Sequence, residues 1–561
     1  MLKRVRLIAQ IAFFALFVVT FFALMRLPAA YDAPGMWYLR LNPLTTLLTT
    51  IASRSIYLPL AVLGLVIAAL TVVFGRFFCG MMCPLGAIVD FSDRYLFRHM
   101  RIRKACPPRY VQKLKYVLLA ALLAMAIFGG MAPLIMGPIL LVTRVFTLVL
   151  NPVIAVVSSQ GRAVLAPALA GVGYDRLLYE TVKVPLYYGV LGAFLIFALA
   201  VLGGLFDRRF WCQHVCPTGG FFGLLSRFAL FRRKVHESQC SSCRACSAVC
   251  PVHAISDSGK STSVAECIVC GNCTAAKKNC NSFGFASISK TETRGADLQR
   301  RHAVAGVLGG VFMLPALRAN ASARRDSSGR VIRPPGAVPE EQFLGRCISC
   351  GACMKVCPTN AIQPCTMGDG FQRVYTPKIV PRIGGCEEKC HICGYTCPTG
   401  AIRNLTYEEK RFAKIGTAVI NRHRCLAWEQ NKECLVCDEI CPYNAITPMI
   451  VETTTGPFKV PVVNEDLCLG CGMCEQHCPI TDRAAIVVFR FGENRRASGP
   501  YVRDDEKAQI LEERRRSDED IGRSLTSEWQ RDVETNGTSS ASASHAEPET
   551  TQSSLPPGFI Q

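Results

Sequence analysis

Cys347-Ile-Ser-Cys350-Gly-Ala-Cys353-Met-Lys-Val-Cys357-Pro358 is the stretch on which the reading of this chain turns. Three cysteines spaced two residues apart wrap one face of a cubane iron–sulfur cluster, and a fourth, followed by proline, reaches a neighbouring cluster. The same spacing returns in Cys468-x2-Cys471-x2-Cys474-x3-Cys478-Pro479. Between the two lie looser versions, Cys386-x3-Cys390-x2-Cys393-x3-Cys397-Pro398 and Cys425-x8-Cys434-x2-Cys437-x3-Cys441-Pro442. Four runs predict four [4Fe–4S] clusters in residues 341–490. The regular runs lie outermost, which predicts one two-cluster unit inserted into another. The nested sets would be Cys347, Cys350, Cys353 with Cys478; Cys468, Cys471, Cys474 with Cys357; Cys386, Cys390, Cys393 with Cys441; and Cys425, Cys434, Cys437 with Cys397. Sequential pairing would give the same number of clusters.

A smaller module, residues 236–290, carries the same chemistry. Cys240-x2-Cys243-x2-Cys246-x3-Cys250-Pro251 faces Cys267-x2-Cys270-x2-Cys273-x6-Cys280. Crossed ligation predicts one cluster on Cys240, Cys243, Cys246 and Cys280, and a second on Cys267, Cys270, Cys273 and Cys250. The long last gap makes Cys280 the least regular of these ligands. Zinc needs four ligands and does not call for a crossed arrangement. The two modules are expected to have the α+β bacterial-ferredoxin fold, with six clusters in all.

The cysteines also dominate the composition. Of 30 in 561 residues, only Cys106 and Cys365 stand outside short-spaced groups, which excludes a plain soluble enzyme. Length excludes a small disulfide scaffold, and an apolar half excludes a disordered chain. The net charge of +21 has its explanation in topology rather than nucleic-acid binding. Four uncharged stretches, Leu7–Met25, Ser55–Gly75, Tyr116–Thr143 and Val184–Phe206, have bilayer-crossing length and predict a four-helix membrane domain over residues 1–235. Pro133 and Pro138 predict an early end to the third helix. Arginines and lysines crowd the N-terminus, the loop after the second span and the segment after Phe206. The positive-inside rule puts these, and the 236–290 module, in the cytoplasm. Val145–Ser159 is expected to be an interfacial or re-entrant piece on the outer side.

Two cysteine pairs, Cys79-Gly-Met-Met-Cys83-Pro84 and Cys212-Gln-His-Val-Cys216-Pro217, sit at the inner ends of the second and fourth spans. On a continuing helix this spacing puts both sulfurs on one face, which suits a shared metal, a redox-active dithiol or a quinone-side site. Buried cysteines packing as small hydrophobes are the plain alternative. The pairs are taken as the redox or quinol-side catalytic candidates, with His99 and His214 as proton-handling candidates. His391 follows Cys390 but lacks the C-x-x-C-H haem spacing, so it reads as a surface or cluster-flanking residue.

Residues 298–323 pair Arg300 with Arg301 ahead of a short apolar run and small residues, the outline of a twin-arginine export signal or an anchor. No Phe follows the arginines, and the segment is internal. A linker follows over 324–340, and a polar, disordered tail is expected over 493–561. No nucleotide-binding loop, flavin fingerprint or Ser/His/Asp arrangement is present.

On these motifs, residues 1–290 resemble the NapH/MauN-type membrane quinol dehydrogenase subunit. Residues 298–490 resemble the exported NapG/MauM-type four-cluster ferredoxin, including Arg333-Pro-Pro-Gly-Ala-Val-Pro-Glu-Glu-Gln-Phe343. The resemblance implies a natural fusion in a bacterial inner membrane. It implies a quinol dehydrogenase-type electron-transfer component that draws on the quinone pool and feeds a periplasmic reductase or cytochrome, such as a nitrate reductase system. Its alternatives are electron delivery for maturing a periplasmic quinoprotein (methylamine) dehydrogenase, or a relay fed by a cytoplasmic ferredoxin. One difficulty comes with it: a cytoplasmic first module and a periplasmic second one would be separated by about 30 Å of hydrocarbon.

Overall fold

The computed structural model describes residues 2–23, 37–97, 114–131, 137–170, 184–276, 280–285, 304–312, 331–453 and 456–502. Met1–Tyr501 form one compact unit. His99, Cys106, the Arg300-Arg301 pair and residues 503–561 of the expected tail lie outside the described residues.

The N-terminal half is helical. α1 (Leu2–Ala23), α2 (Pro43–Ser53), α3 (Leu58–Phe74), α4 (Phe77–Met81), α5 (Pro84–Tyr95), α6 (Leu114–Ile127) and α7 (Pro138–Val145) are followed by helices Asn151–Ala170, Val190–Leu202 and Pro217–Leu225. Proline at the first turn, where its missing N–H costs nothing, starts α2, α3, α5, α7 and Pro217–Leu225. Asn42 adds a cap, its side chain accepting from Leu44 N–H at 3.2 Å. Leu2–Phe22 and Pro138–Arg162 are long and apolar enough to cross a membrane, while Leu58–Phe74, Leu114–Ile127 and Val190–Leu205 are apolar but shorter. The expected four spans thus correspond to one helix of crossing length and three shorter ones. Val145–Ser159 is not a separate interfacial piece. A π-turn at Phe146–Leu150 joins α7 to Asn151–Ala170, so the helix runs through it, and Asn151-Pro152 falls inside a helical run rather than ending one.

Each cluster-type module is built on small antiparallel sheets. β1 (Phe231–Val235) pairs with β2 (Asn281–Phe285), bracketing the first module. In the second, β3 (Ile362–Pro364) pairs with β4 (Pro377–Ile379), β5 (Thr417–Ile420) with β8 (Ile486–Phe489), and β6 (Ile446–Thr453) with β7 (Gly456–Val463). The polar tail begins later than expected. Asn494 N–H donates to the Lys414 carbonyl at 2.9 Å, Arg495 pairs with Glu340 at 2.8 Å, and Tyr501 is buried beside Arg403. Glu340 also accepts from Arg333 at 2.7 Å and pairs with Arg373 at 3.1 Å. Burial opposes its ionisation, but Arg333 and Arg495 outweigh that and hold its carboxyl below the ordinary carboxylate range.

The modules cap opposite ends of the helical body. At one end, Leu2 and Lys3 of α1 abut Gly271, Phe74 of α3 packs on Phe231 and Phe285, and Lys115 of α6 pairs with Glu266. At the other, Phe21 of α1 lies under the Lys355 ammonium at 3.5 Å. Tyr57, just ahead of α3, packs on Gly400, and the Gly189 carbonyl, just ahead of Val190–Leu202, accepts from Tyr375 Oη at 3.2 Å. α1 and α6 therefore run toward the second module, and α3 runs away from it.

The chain has to return along this body to enter the second module. The helical segment 304–312 does so beside α6. A Cβ at Gly306 would meet the Val117 carbonyl at 2.7 Å, and one at Gly310 the Ala121 carbonyl at 2.7 Å. This G-x-x-x-G seam, with Ala120 and Ala124 opposite, is the close backbone packing of membrane helices. An anchor, one of the two readings of 298–323, would be held by such a seam. Intact-mass measurement of the purified protein should therefore find 298–323 retained in a single polypeptide. Gly310→Leu should destabilise the helix pair by about 1–3 kcal/mol, read as a lower thermal midpoint in detergent.

Candidate functional site: cysteine sets along a helical body

The second module groups its cysteines sequentially. One cavity is lined by Cys347, Cys350, Cys353 and Cys397, and another by Cys357, Cys386, Cys390 and Cys393. A third is lined by Cys425, Cys434, Cys437 and Cys478, and a fourth by Cys441, Cys468, Cys471 and Cys474. The nested pairing is therefore corrected: neighbouring runs exchange their Cys-Pro cysteines, and nothing is inserted. The gap irregularities have local causes. The long gap after Cys425 holds the helical turn Leu426–Gln430, and the extra residue before Cys390 is taken up in a turn closed by Cys390 N–H to the Glu387 carbonyl.

In the first module Cys267 lies within electrostatic reach of Cys270, Cys250 and Cys273, the crossed set expected. Of the other expected set, Cys246 and Cys280 are linked through Arg233, which donates to Cys246 Sγ at 3.5 Å and to Asn281 Oδ1, while Asn281 Nδ2 donates to Cys280 Sγ at 3.5 Å. Asn281, which stands where proline is usual, thus ties the two ends of the set together.

These sets fit iron–sulfur clusters. The Cys-Pro sulfurs accept backbone N–H groups, from Ala254 to Cys250 at 3.3 Å, Ala445 to Cys441 at 3.3 Å and Ala485 to Cys478 at 3.3 Å. Such bonds favour the thiolate that a cluster requires. Cys365 joins no set; it is buried beside Arg333. His391 is partly buried, directly after Cys390.

The C-x-x-x-C-P pairs converge. Each of the four sulfurs lies within electrostatic reach of the other three. Both pairs share one local build: a short helical turn, then the second cysteine capping a proline-started helix. Gly86 N–H donates to Cys83 Sγ at 3.4 Å and Gly219 N–H to Cys216 Sγ at 3.3 Å. The repeat is longer than the cysteines alone: Arg76-Phe-Phe-Cys79-x3-Cys83-Pro-Leu-Gly86 matches Arg209-Phe-Trp-Cys212-x3-Cys216-Pro-Thr-Gly219. The arginine three residues ahead and the glycine three residues behind were the readable signals that the cysteine spacing overshadowed.

Those arginines cross over. Arg209 donates to the Cys79 carbonyl at 3.0 Å and to the Gly86 carbonyl at 3.5 Å, both in the first repeat. Arg76 lies against Gly219 in the second. Both are fully buried. Arg209 grips Asp90 with two bonds of 2.6 Å, and Asp90 also takes Arg6 and Gln10 of α1. Arg76 pairs at 2.8 Å with Glu266, which also takes Lys115 and, at 3.0 Å, Tyr116 Oη. Glu266 directly precedes Cys267, so this hub locks the first module onto the helical body.

His214 is fully buried, 3.8 Å from Asp207 and packed on Phe210. Asp207 is reached at 3.0 Å by His253, a partly exposed residue that the sequence reading passed over. Burial opposes ionisation of Asp207, but the imidazoles of His214 and His253 outweigh it and keep its pKa low.

Comparison with known proteins places these features. Residues 56–104 and 189–236 match a family described as a 4Fe-4S binding domain; so, separately, do 233–256 and 343–363, and 432–481 match a 4Fe-4S dicluster domain. The last segment takes in the third run from Cys434 onward and the whole fourth run, in accord with sequential pairing. Among relatives, the methylamine utilization ferredoxin-type protein MauM of Paracoccus denitrificans is 36% identical over 35% of this chain and 84% of its own. MauM of Methylorubrum extorquens is 35% identical over 31% of this chain and 79% of its own. The ferredoxin-type protein NapG of Escherichia coli is 36% identical over 29% of this chain and 72% of its own.

The chain belongs to the MauM/NapG family of ferredoxin-type proteins.

The matched length is about a third of the chain, so MauM/NapG kinship describes one portion of a longer fusion. It is an iron–sulfur electron-transfer protein. Glu266→Gln should leave Arg76 and Lys115 buried with only a neutral partner. The expected cost is about 3–5 kcal/mol, read as a lower thermal midpoint. Glu433→Gln, at an exposed position, should change nothing.

Proposed function

We propose that this protein is a membrane quinol dehydrogenase component that takes electrons from quinol at its helical body and delivers them through the second module to a periplasmic acceptor, a nitrate reductase system or cytochrome. The observation that carries this reading is the placement of two cysteine-rich modules at opposite ends of one apolar body. The body exposes large apolar side chains along α1, α3 and Val190–Leu202, including Ile8, Ile11, Val19, Leu58, Leu65, Leu191 and Leu199. A surface of that kind suits lipid. The positive-inside pattern supports a cytoplasmic first module, which leaves the second, at the opposite end of the body, on the periplasmic side of a bacterial inner membrane. The reading takes α1, α3, α6 and Val190–Leu202 as the four membrane crossings of the quinol dehydrogenase half.

Six [4Fe–4S] clusters are assigned to the six cysteine sets described above, and when bound they supply one-electron transfer. The chain's own residues do the rest. Quinol oxidation releases two protons, and His253–Asp207–His214 offers acceptors at the first module's end of the body. Asp207, anionic and held between two imidazoles, orients His253 toward solvent.

Membranes carrying the cluster-loaded protein should bleach in the visible on adding quinol. Asp207→Asn should slow this by about 10²-fold with iron content unchanged. Fully loaded membranes that no quinol reduces would rule the reading out. The cluster sets have their own test. Cys347→Ser with Cys397→Ser should cost the same ~4 iron atoms per chain as either change alone. Cys347→Ser with Cys478→Ser should cost about twice as many.

The MauM relatives favour a second reading, electron delivery in methylamine utilization. Loss of growth on methylamine in a deletion strain, with periplasmic nitrate reduction intact, would select it.

A further inference from the structure

Apart from the isolated Cys106 and Cys365, four cysteines remain without a role once the six sets are assigned: Cys79, Cys83, Cys212 and Cys216. We propose that they jointly hold a seventh redox centre, an iron–sulfur cluster shared between the two repeats. We propose further that it is the stepping stone by which electrons pass between the modules.

Three observations carry this. First, the two pairs meet: Cys83 and Cys216 share one core against which Cys79 packs, Arg209 of the second repeat donates to the Cys79 carbonyl of the first at 3.0 Å, and the second cysteine of each pair accepts a backbone N–H just as the Cys-Pro sulfurs of the modules do. Four buried thiols packing as hydrophobes would need neither the convergence nor the N–H bonds. Second, the group is flanked by two buried guanidiniums, Arg76 beside Cys79 and Cys216, and Arg209 beside Cys212. Both are already anchored by carboxylates, so they are held in place and offer positive charge to four thiolates. Third, the segments 56–104 and 189–236 match a 4Fe-4S binding domain, and these four are the cysteines those segments contain.

Position gives the centre its use. Cys79 packs against the apolar core of the first module, and a Cβ on Gly80 would sit 2.5 Å from the Ile268 carbonyl, between Cys267 and Cys270. Cys83 and Cys216 share one core with Phe17, Phe21, Phe146, Tyr38 and Cys350 of the second module. α1 serves as a ruler. Lys3 touches the first module at Gly271, Gln10 donates to the Gly86 carbonyl at the four-cysteine group, and Phe21 meets Lys355 two residues beyond Cys353. At 1.5 Å per residue the centre lies about 10 Å from the first contact and about 16 Å from the last. A crossing of about 27 Å is thereby cut into two shorter steps. One electron enters from one module and one leaves to the other, with no bond made or broken.

The proposal rests on electrons passing between the modules, so its test is independent of quinol. Iron and sulfide are counted in the purified holoprotein, and in Cys83→Ser and Cys212→Ser, with Cys365→Ser as a control. The expected result is loss of about two to four irons with matching sulfide in either variant, none in the control, and retention of the signals of the other clusters. In proteoliposomes, a membrane-impermeant viologen supplied on one side should reduce both modules of the native chain, as read by EPR. In the variants it should reduce only the module on that side. Unchanged iron in both variants, zinc in place of iron, or undiminished reduction of the far module would overturn the inference. None of these outcomes bears on quinol oxidation, whose failure would instead show as native membranes that quinol cannot bleach.

Discussion

Two partly buried carboxylates, each gripped by buried cations, hold this molecule together. Asp90 and Glu266 each sit between cations from different elements: Arg6 and Arg209 for one, Arg76 and Lys115 for the other. A buried charge pair is weak evidence for stability, since desolvation can exceed the attraction. What such a pair does strongly is penalise any arrangement that leaves one member alone. Four cations and two carboxylates at the junction of helices and module therefore specify one docking geometry. Everything that depends on distance between redox groups depends on that geometry.

The rest of the architecture follows from the same demand. Small side chains appear wherever backbones must approach: Gly80 against Ile268, Gly306 and Gly310 against α6, Gly400 against Tyr57, Gly345 against Ala52. At the second module the docking is mostly hydrogen bonds to carbonyls, from Arg144 to Ser349 at 2.7 Å, Gln363 to Leu186 at 3.0 Å and Tyr187 to Met354 at 3.2 Å. Carbonyl acceptors demand geometry but no second charge. The contact therefore stays precise where the apolar body meets a polar surface.

Much of the cysteine chemistry was legible because cluster ligation is a local spacing problem. Three cysteines two residues apart can wrap a cube only one way, so the runs stood out without any fold. Partner choice was not legible. The fourth ligand arrives from elsewhere in the chain, and the regular gaps of the outer runs pointed to a nesting that the fold does not have. Cys397 turns back onto the Cys347 set because the two runs are folded as neighbours. Gap length reports the loop a run accommodates, such as the Leu426–Gln430 turn, and carries no information about that neighbour.

From the sequence alone came the chemistry of the six runs, the apolar helices, the two C-x-x-x-C-P pairs and the kinship with the MauM/NapG ferredoxin-type family, all encoded in residue type and short-range spacing. Tertiary structure alone decided that the two pairs, 129 residues apart from Cys83 to Cys212, meet as one four-sulfur group. It also decided that their arginines cross between repeats, that the segment 304–312 lies against α6, and that the modules sit at opposite ends. These are long-range juxtapositions, set by burial and by pairing of charges far apart in the chain, and no local pattern records which distant partner a buried side chain will find.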